Sequence, residues 1–315
     1  MALGMVFPGQ GSQSIGMLAD IAARESLVAD TFAEASAVLG FDLWRLCQQG
    51  PAEDLNATVN TQPAMLVAGV ATWRVWQRRG ACPPAMTAGH SLGEFTALVC
   101  AGAMDFPATV ALVRLRAEAM QRAAPAGVGA MAAVLGLDDE AVEAACVEAA
   151  AGEIVEPANF NSPGQLVIAG HTGAVTRAVE ACKARGARRA VLLPVSVPCH
   201  TSLLRPAAEE LRKRLADVEV RAPRVPVYAF DGSLHDSPAT IRDALYRQLY
   251  SPVRWSTIAG RMIAAGMTVA VECGPGKVLA GLVRRAEGGR NVSVHALEDA
   301  ASLDAAVSAC PGEAA

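Results

Sequence analysis

Short bursts of apolar residues, separated by Gly, Pro and polar clusters, set this chain out as an α/β protein. Leu3 to Phe7, "LGMVF", is a continuous apolar run stopped by Pro8 and Gly9, the pattern of a short strand buried on both faces. Helical spacing follows over 26–39 and 63–79, and a second short strand near 84–88 runs into Gly89. Beyond it Leu92, Phe95, Leu98 and Val99 recur at helical spacing as far as Gly102. The intervening "GHSLG" is therefore a strand-to-helix turn. Asp105 is placed to cap the next helix, which runs to about Ala124, before Pro125.

Between 127 and 197 the pattern changes. "GAMAAVLGL", "GEIVEPANF", "GQLVIAG" and "RRAVLLPVS" read as strands, with helices over 138–150 and 172–185, in the order β-α-β-β-α-β of a ferredoxin-like module. The α/β pattern then resumes: a strand near 224–229, helices over 238–250 and 256–265, a strand in "MTVAVEC" and a helix from Lys277. The expected organisation is a large α/β body with a parallel sheet, residues 1–126 and 198–315, carrying an inserted subdomain at 127–197. The final "SACPGEAA" is expected to fray.

Composition narrows the class. Of 315 residues 52% are hydrophobic but only 4% aromatic, so small aliphatic side chains must do the packing, which suits helices on a sheet. A net charge of −4 gives no basic surface for nucleic acid. "MALGMVFPGQ" lacks a basic n-region, and the apolar run from Ala64 to Trp73 is far shorter than a membrane span. Eight scattered cysteines form no C-x-x-C pair. A cytoplasmic protein with no disulfides, no membrane contact, no metal site and no cofactor is expected.

The chemistry starts at Ser91. G-x-S-x-G alone is a weak signal, but here a strand precedes it and a helix follows, the turn that exposes a serine hydroxyl and aims a helix N-terminus at the reacting carbonyl. A serine nucleophile needs a base. His200 follows "VSVPC", where the chain leaves the insertion and faces the cleft between the two bodies. His90, adjacent to Ser91, points away on a tight turn, and His171 opens a helix. Cys199, beside His200 in an extended segment, points to the opposite side. A hydrolase arrangement stays open, with His295 as base and Asp231 or Glu272 as its acid.

Arg116 is the second anomaly. It falls in the middle of the apolar stripe made by Leu112, Val113, Ala119 and Met120, whereas Arg114 lies about 200° away with Glu118 as its helix partner. Arg114 is an ordinary solvated charge. A buried Arg116 needs a carboxylate or phosphate: either a protein acid in a structural ion pair or a carboxylate brought by the substrate. Other glycine runs mislead: "GQGSQSIG" misses G-x-G-x-x-G, and "GPGK" lacks the spacing and hydroxyl of a P-loop.

"VFPGQGSQ" (6–13), "GHSLGE" (89–94), Arg116, "NFNSPGQ" (159–165), "VSVPCH" (195–200), "RQLYSPVRW" (247–255) and "ECGPGKVL" (272–279) run in order along nearly the whole chain. Together they resemble the malonyl-CoA:acyl carrier protein transacylases of bacterial type II fatty-acid synthesis. The resemblance implies an α/β-hydrolase-like body with a ferredoxin-like insertion. It implies that Ser91 takes malonyl from malonyl-CoA with His200 as base, and that the backbone carbonyl of Gln248 orients the imidazole. It implies an oxyanion hole from the N–H groups of Gln10 and Leu92, and a malonyl carboxylate held by Arg116. The partners would be malonyl-CoA and holo acyl carrier protein, the enzyme a monomer. An acidic carrier would seek Lys183, Arg185, Arg188 and Arg189, or Arg284 and Arg285. Two departures stand out: Ala229, Phe230 and Asp231 occupy a stretch where relatives commonly carry asparagine, and Cys199 replaces the usual serine.

Overall fold

A computed structural model describes residues 2–125, 127–195 and 197–312. Ala126 at the edge of the expected insertion, Ser196 at the end of its last strand and the three final residues lie outside the described residues. The described residues form nine strands: β1 (Leu3–Phe7), β2 (Met86–Gly89), β3 (Gly129–Leu135), β4 (Val155–Ser162), β5 (Gln165–His171), β6 (Arg189–Leu192), β7 (Val227–Tyr228), β8 (Val269–Glu272) and β9 (Ser293–Ala296).

Five of them make a parallel sheet in the order β7-β2-β1-β8-β9. β1 sits at its centre and is buried throughout, as its unbroken apolar run requires. Phe7 of β1 lies in register with Gly89 of β2, so both strands end level and the loops 8–10 and 90–92 leave the sheet side by side. β7 is shorter than expected because Pro226 has no N–H to give to a ladder; its carbonyl still accepts from Thr87. β9 is a partly exposed edge strand with no alternation to reveal it, and the sequence pattern missed it.

The other four strands form a separate antiparallel sheet, β4-β5-β3-β6, built in the order β-α-β-β-α-β by helices Asp139–Ala150 and Thr172–Ala184. Its own core joins Val134, Ala145, Phe160, Ile168 and Val175. β6 ends at Leu192 rather than continuing. A two-bond link ties this sheet to the rest: Phe160 donates to the Val253 carbonyl at 2.8 Å and Val253 to Ala158 at 2.9 Å.

Two helices depart from expectation in ways that matter. Helix Thr58–Arg78 begins more than a turn before Pro63, the residue expected to open it. Pro63 cannot donate to the carbonyl of Val59. The Arg114 guanidinium satisfies it instead at 3.2 Å, while pairing with Glu118 at 2.6 Å. Arg114 is therefore a half-buried helix-mending residue, not simply a solvated charge. The extra turn also brings Gln62 inside. At the other end, helix Ala300–Ala309 opens on a capping box at Asp299. Beyond it Cys310 is buried, and Cys82 and Gly312 tie residues 310–312 to 80–82. That stretch packs rather than frays. Asp105 does cap helix Phe106–Ala123, accepting from Ala108. No described helix is long and apolar enough to cross a membrane.

Candidate active site

The site lies off the carboxyl ends of β1 and β2. Gly93 brings helix Gly93–Cys100 against β1 so closely that an added Cβ would sit 2.0 Å from the Phe7 carbonyl oxygen. Ser91 takes the left-handed conformation at φ 52°, a strained geometry for a residue with a side chain. A Cβ on Gly9 would lie 3.7 Å from that of Ser91, so the loop carrying Gln10 runs directly over the serine. Among the described residues the backbone N–H groups of Gln10 and Leu92 have no hydrogen-bond partner.

His200 is likewise strained, at φ 65°, and is buried. Its Nε2 is 2.8 Å from Ser91 Oγ and its Nδ1 is 2.8 Å from the Gln248 carbonyl oxygen. A carbonyl only accepts, so Nδ1 carries the proton and Nε2 is left as the acceptor for the serine hydroxyl. No carboxylate is needed to fix this tautomer. Burial, with help from the Arg116 charge, lowers the imidazole pKa to about 3, against a smaller upward pull from Gln248. The histidine is thus neutral at physiological pH and able to take a proton from Ser91.

The rival base is elsewhere. His295 lies on edge strand β9 against Ser293 at 3.2 Å. Asp231 is held by Ser233, and Glu272 accepts from the N–H of Ala280. His90 turns away from Ser91, as expected, and bonds Asn161 of the antiparallel sheet at 2.9 Å. Burial pushes the Cys199 thiol up to about 11, against the lowering pull of Arg116, which makes it a poor nucleophile.

Arg116 is buried, as its place in the apolar stripe demands, yet no carboxylate lies within salt-bridge distance among the described residues. Its Nη1 donates to Gln62 Oε1 at 2.7 Å and its Nη2 to Gln248 Oε1 at 2.9 Å, while Nε has no partner. Burial lowers its pKa to about 10, with Cys199 and Glu94 opposing; it still carries a full charge at neutral pH. A buried cation with two neutral partners and an unpaired Nε–H can receive an anion.

Four side chains in this network were not evident from the sequence. Gln62 also donates to Gln10 Oε1 at 3.3 Å, joining the clamp to the loop over Ser91. The Gln248 side chain donates to the Ser91 carbonyl at 3.0 Å and to Glu94 Oε2 at 2.7 Å. Glu94 is in turn bonded to His235 Nε2 at 2.8 Å, and both are buried. Polar residues inside apolar helical runs, such as Gln62 and Glu94, were the available signal. Which partner each one meets is a tertiary fact.

The basic candidates divide. Lys183 pairs with Glu180 and Arg185 with Glu148, so both are occupied. Arg284, Arg285 and Arg290 line a surface cavity of about 580 Å³ beside Pro163. Arg284 and Arg285 spend one donor each on the Val294 carbonyl and on Gln165. No ion pair holds Arg188 or Arg189 among the described residues.

Comparison with known proteins gives a consistent picture. The family model described as the acyl transferase domain matches residues 5–301. The malonyl CoA-acyl carrier protein transacylase of Escherichia coli (strain K12) is 58% identical over 281 residues, 89% of this chain and 91% of that protein. An acyl carrier protein S-malonyltransferase from Vibrio cholerae superposes with a TM-score of 0.93 at 56% identity, covering 97% and 99% of the two chains. A malonyl-transacylase solved in complex with a type II PKS acyl-carrier protein does so with a TM-score of 0.96 at 52% identity, covering 98% and 100%.

Proposed function

The chain belongs to the acyl transferase domain family and, within it, to the malonyl CoA-acyl carrier protein transacylases, and we propose how its own residues carry that reaction. It is an acyltransferase that moves the malonyl group of malonyl-CoA to acyl carrier protein. Ser91 Oγ attacks the thioester carbon as His200 Nε2 takes its proton. The tetrahedral oxyanion accepts from the N–H groups of Gln10 and Leu92, donors fixed before the charge develops. Collapse breaks the C–S bond, and the departing CoA sulfur takes the proton from His200. In the second half the carrier's phosphopantetheine thiol gives its proton to His200 and attacks the malonyl-serine ester. The serine then leaves and recovers that proton.

The Gln248 carbonyl orients His200 without adding a negative charge beside an anionic substrate. Arg116 holds the malonyl carboxylate through its unpaired Nε–H and the donors it now gives to Gln62 and Gln248. Carboxylate binding also offsets the arginine's field on His200, so the correct substrate raises the basicity of its own base. The observation that carries this reading is the joining, through one residue, of a serine–imidazole pair at 2.8 Å to a buried arginine without a carboxylate.

The finer architecture belongs to the same proposal. We read the parallel-sheet body, residues 1–126 and 198–315, as α/β-hydrolase-like, supported by the strained serine turn after β2. We read 127–197 as a ferredoxin-like insertion, supported by its strand order β4-β5-β3-β6. The enzyme would serve fatty-acid elongation in the cytoplasm as a monomer. Arg284 and Arg285 are better docking candidates for an acidic carrier than Lys183 and Arg185, whose charges are already paired.

The test is isotope exchange. An acyl-serine pathway predicts exchange of labelled CoA into malonyl-CoA with no carrier present. Exchange seen only when carrier is added would contradict it.

A further inference from the structure

The buried pair Glu94–His235 has no part in the steps above. Glu94 Oε2 accepts from the Gln248 side chain, whose own Oε1 accepts from Arg116, so one amide separates the carboxylate from the cation. The amide dipole is aligned, its N–H toward the anion and its C=O toward the guanidinium. Arg116 thereby has a countercharge at one remove, and its Nε–H stays unpaired. The other carboxylate oxygen, Oε1, is held at 2.8 Å by His235 Nε2. His235 is itself fixed from behind, its backbone N–H donating to the Val227 carbonyl at 3.0 Å. Without that imidazole Glu94 would keep an unsatisfied buried oxygen, and Arg116, one amide away and already under its charge, is a cation that could satisfy it.

We propose that His235 is a positioning residue that holds Glu94 off Arg116 and so keeps the carboxylate clamp open for substrate. This rests on the reading of Arg116 as the malonyl clamp. A direct Glu94–Arg116 pair would close the site to malonyl, because the guanidinium would already hold a carboxylate. Gln248 would lose its Glu94 contact at the same time, but its backbone carbonyl would still hold His200. The expected defect is therefore in selection of the acid-bearing acyl group, with the serine chemistry retained.

The experiment measures kcat/KM for malonyl-CoA and acetyl-CoA separately in four proteins. Wild type supplies the malonyl-over-acetyl preference. His235→Phe removes the donor and is expected to lower the preference at least tenfold through the malonyl term, with acetyl transfer changed less than threefold. His235→Gln restores an N–H donor and is expected to recover most of it. Glu94→Gln/His235→Phe removes the competing charge along with the donor. It leaves no unpaired buried carboxylate to unfold the chain and is expected to keep the preference even where His235→Phe does not fold. Equal losses for both acyl groups in His235→Phe, or a double variant without the preference, would overturn the proposal. A wild type with no malonyl preference would instead overturn the reading of Arg116 on which it rests.

Discussion

The two sides of the site solve opposite problems. On one side Ser91 and His200 are neutral, both strained at positive φ, and joined to each other and to a backbone carbonyl by hydrogen bonds of 2.8 Å. On the other, Arg116 sits unstrained in the middle of a regular helix, fully charged and buried, and its two partners are neutral amides. The reactive side is complete in itself: donor, acceptor and orienting group are all supplied by the protein. The clamp side has no carboxylate in contact with its arginine; the countercharge of Glu94 stands one amide away. In the proposed mechanism this division separates two properties that enzymes often mix, namely the ability to form an acyl-serine and the choice of acyl group. Gln248 belongs to both, its backbone to the first and its amide to the second.

If the division is sound, the two sides break differently. His200→Ala should lower transfer of malonyl and acetyl alike by about 10²–10⁴-fold, the usual worth of a positioned base, measured as kcat/KM for each acyl-CoA. Arg116→Ala should cost malonyl transfer about 10²-fold, from the loss of charge-assisted hydrogen bonds to a carboxylate, with acetyl transfer falling far less. A matching loss for acetyl would assign Arg116 to structure. The pH dependence sharpens the contrast further. The folded pKa of His200, about 3, lies below the ordinary 6.5, so the imidazole stays neutral and competent until the pH falls well under 6. The acid limb of kcat/KM should therefore be missing near 6.5, where an exposed histidine would place it. The sign for stability agrees: between pH 6.5 and 3 the unfolded chain binds the extra proton, so His200 costs stability progressively as the pH falls through that window. The smallest effect is expected outside both sides. Asp105→Ala removes a helix cap from the helix that carries Arg116, and should cost about 1 kcal/mol in denaturant unfolding while leaving acyl preference unchanged.

The same contrast explains what the sequence disclosed. Ser91 was legible because its turn is local: a strand, two glycines and a helix within a dozen residues. Arg116 was legible from helical periodicity alone, since a cation on an apolar stripe contradicts its surroundings wherever the helix packs. His200 stood out through its position at the end of the insertion and through family resemblance. Spacing could not separate His200 from His295 as the partner of Ser91, because the 2.8 Å contact spans 109 residues. Gln62 stayed hidden for a physical reason: Pro63 read as a helix start, whereas Arg114 makes an earlier start tolerable by bonding the freed Val59 carbonyl. Glu94 and His235 are 141 residues apart, and nothing local marks either as the other's partner. The parallel sheet and the separate antiparallel sheet were readable from the order of apolar runs. The edge strand β9 and the last helix were not, because one is short and partly exposed and the other is short and rich in alanine, with few large apolar residues to mark a stripe.

The most direct measurement is the intact mass of the protein after mixing with malonyl-CoA, alongside Ser91→Ala, followed by a chase with holo acyl carrier protein. The account predicts a gain of one malonyl group on wild type only, lost on adding the carrier as the carrier gains it. An adduct that persists in Ser91→Ala, or a wild type that transfers malonyl to the carrier without ever gaining the mass, would contradict the malonyl-serine on which the mechanism depends.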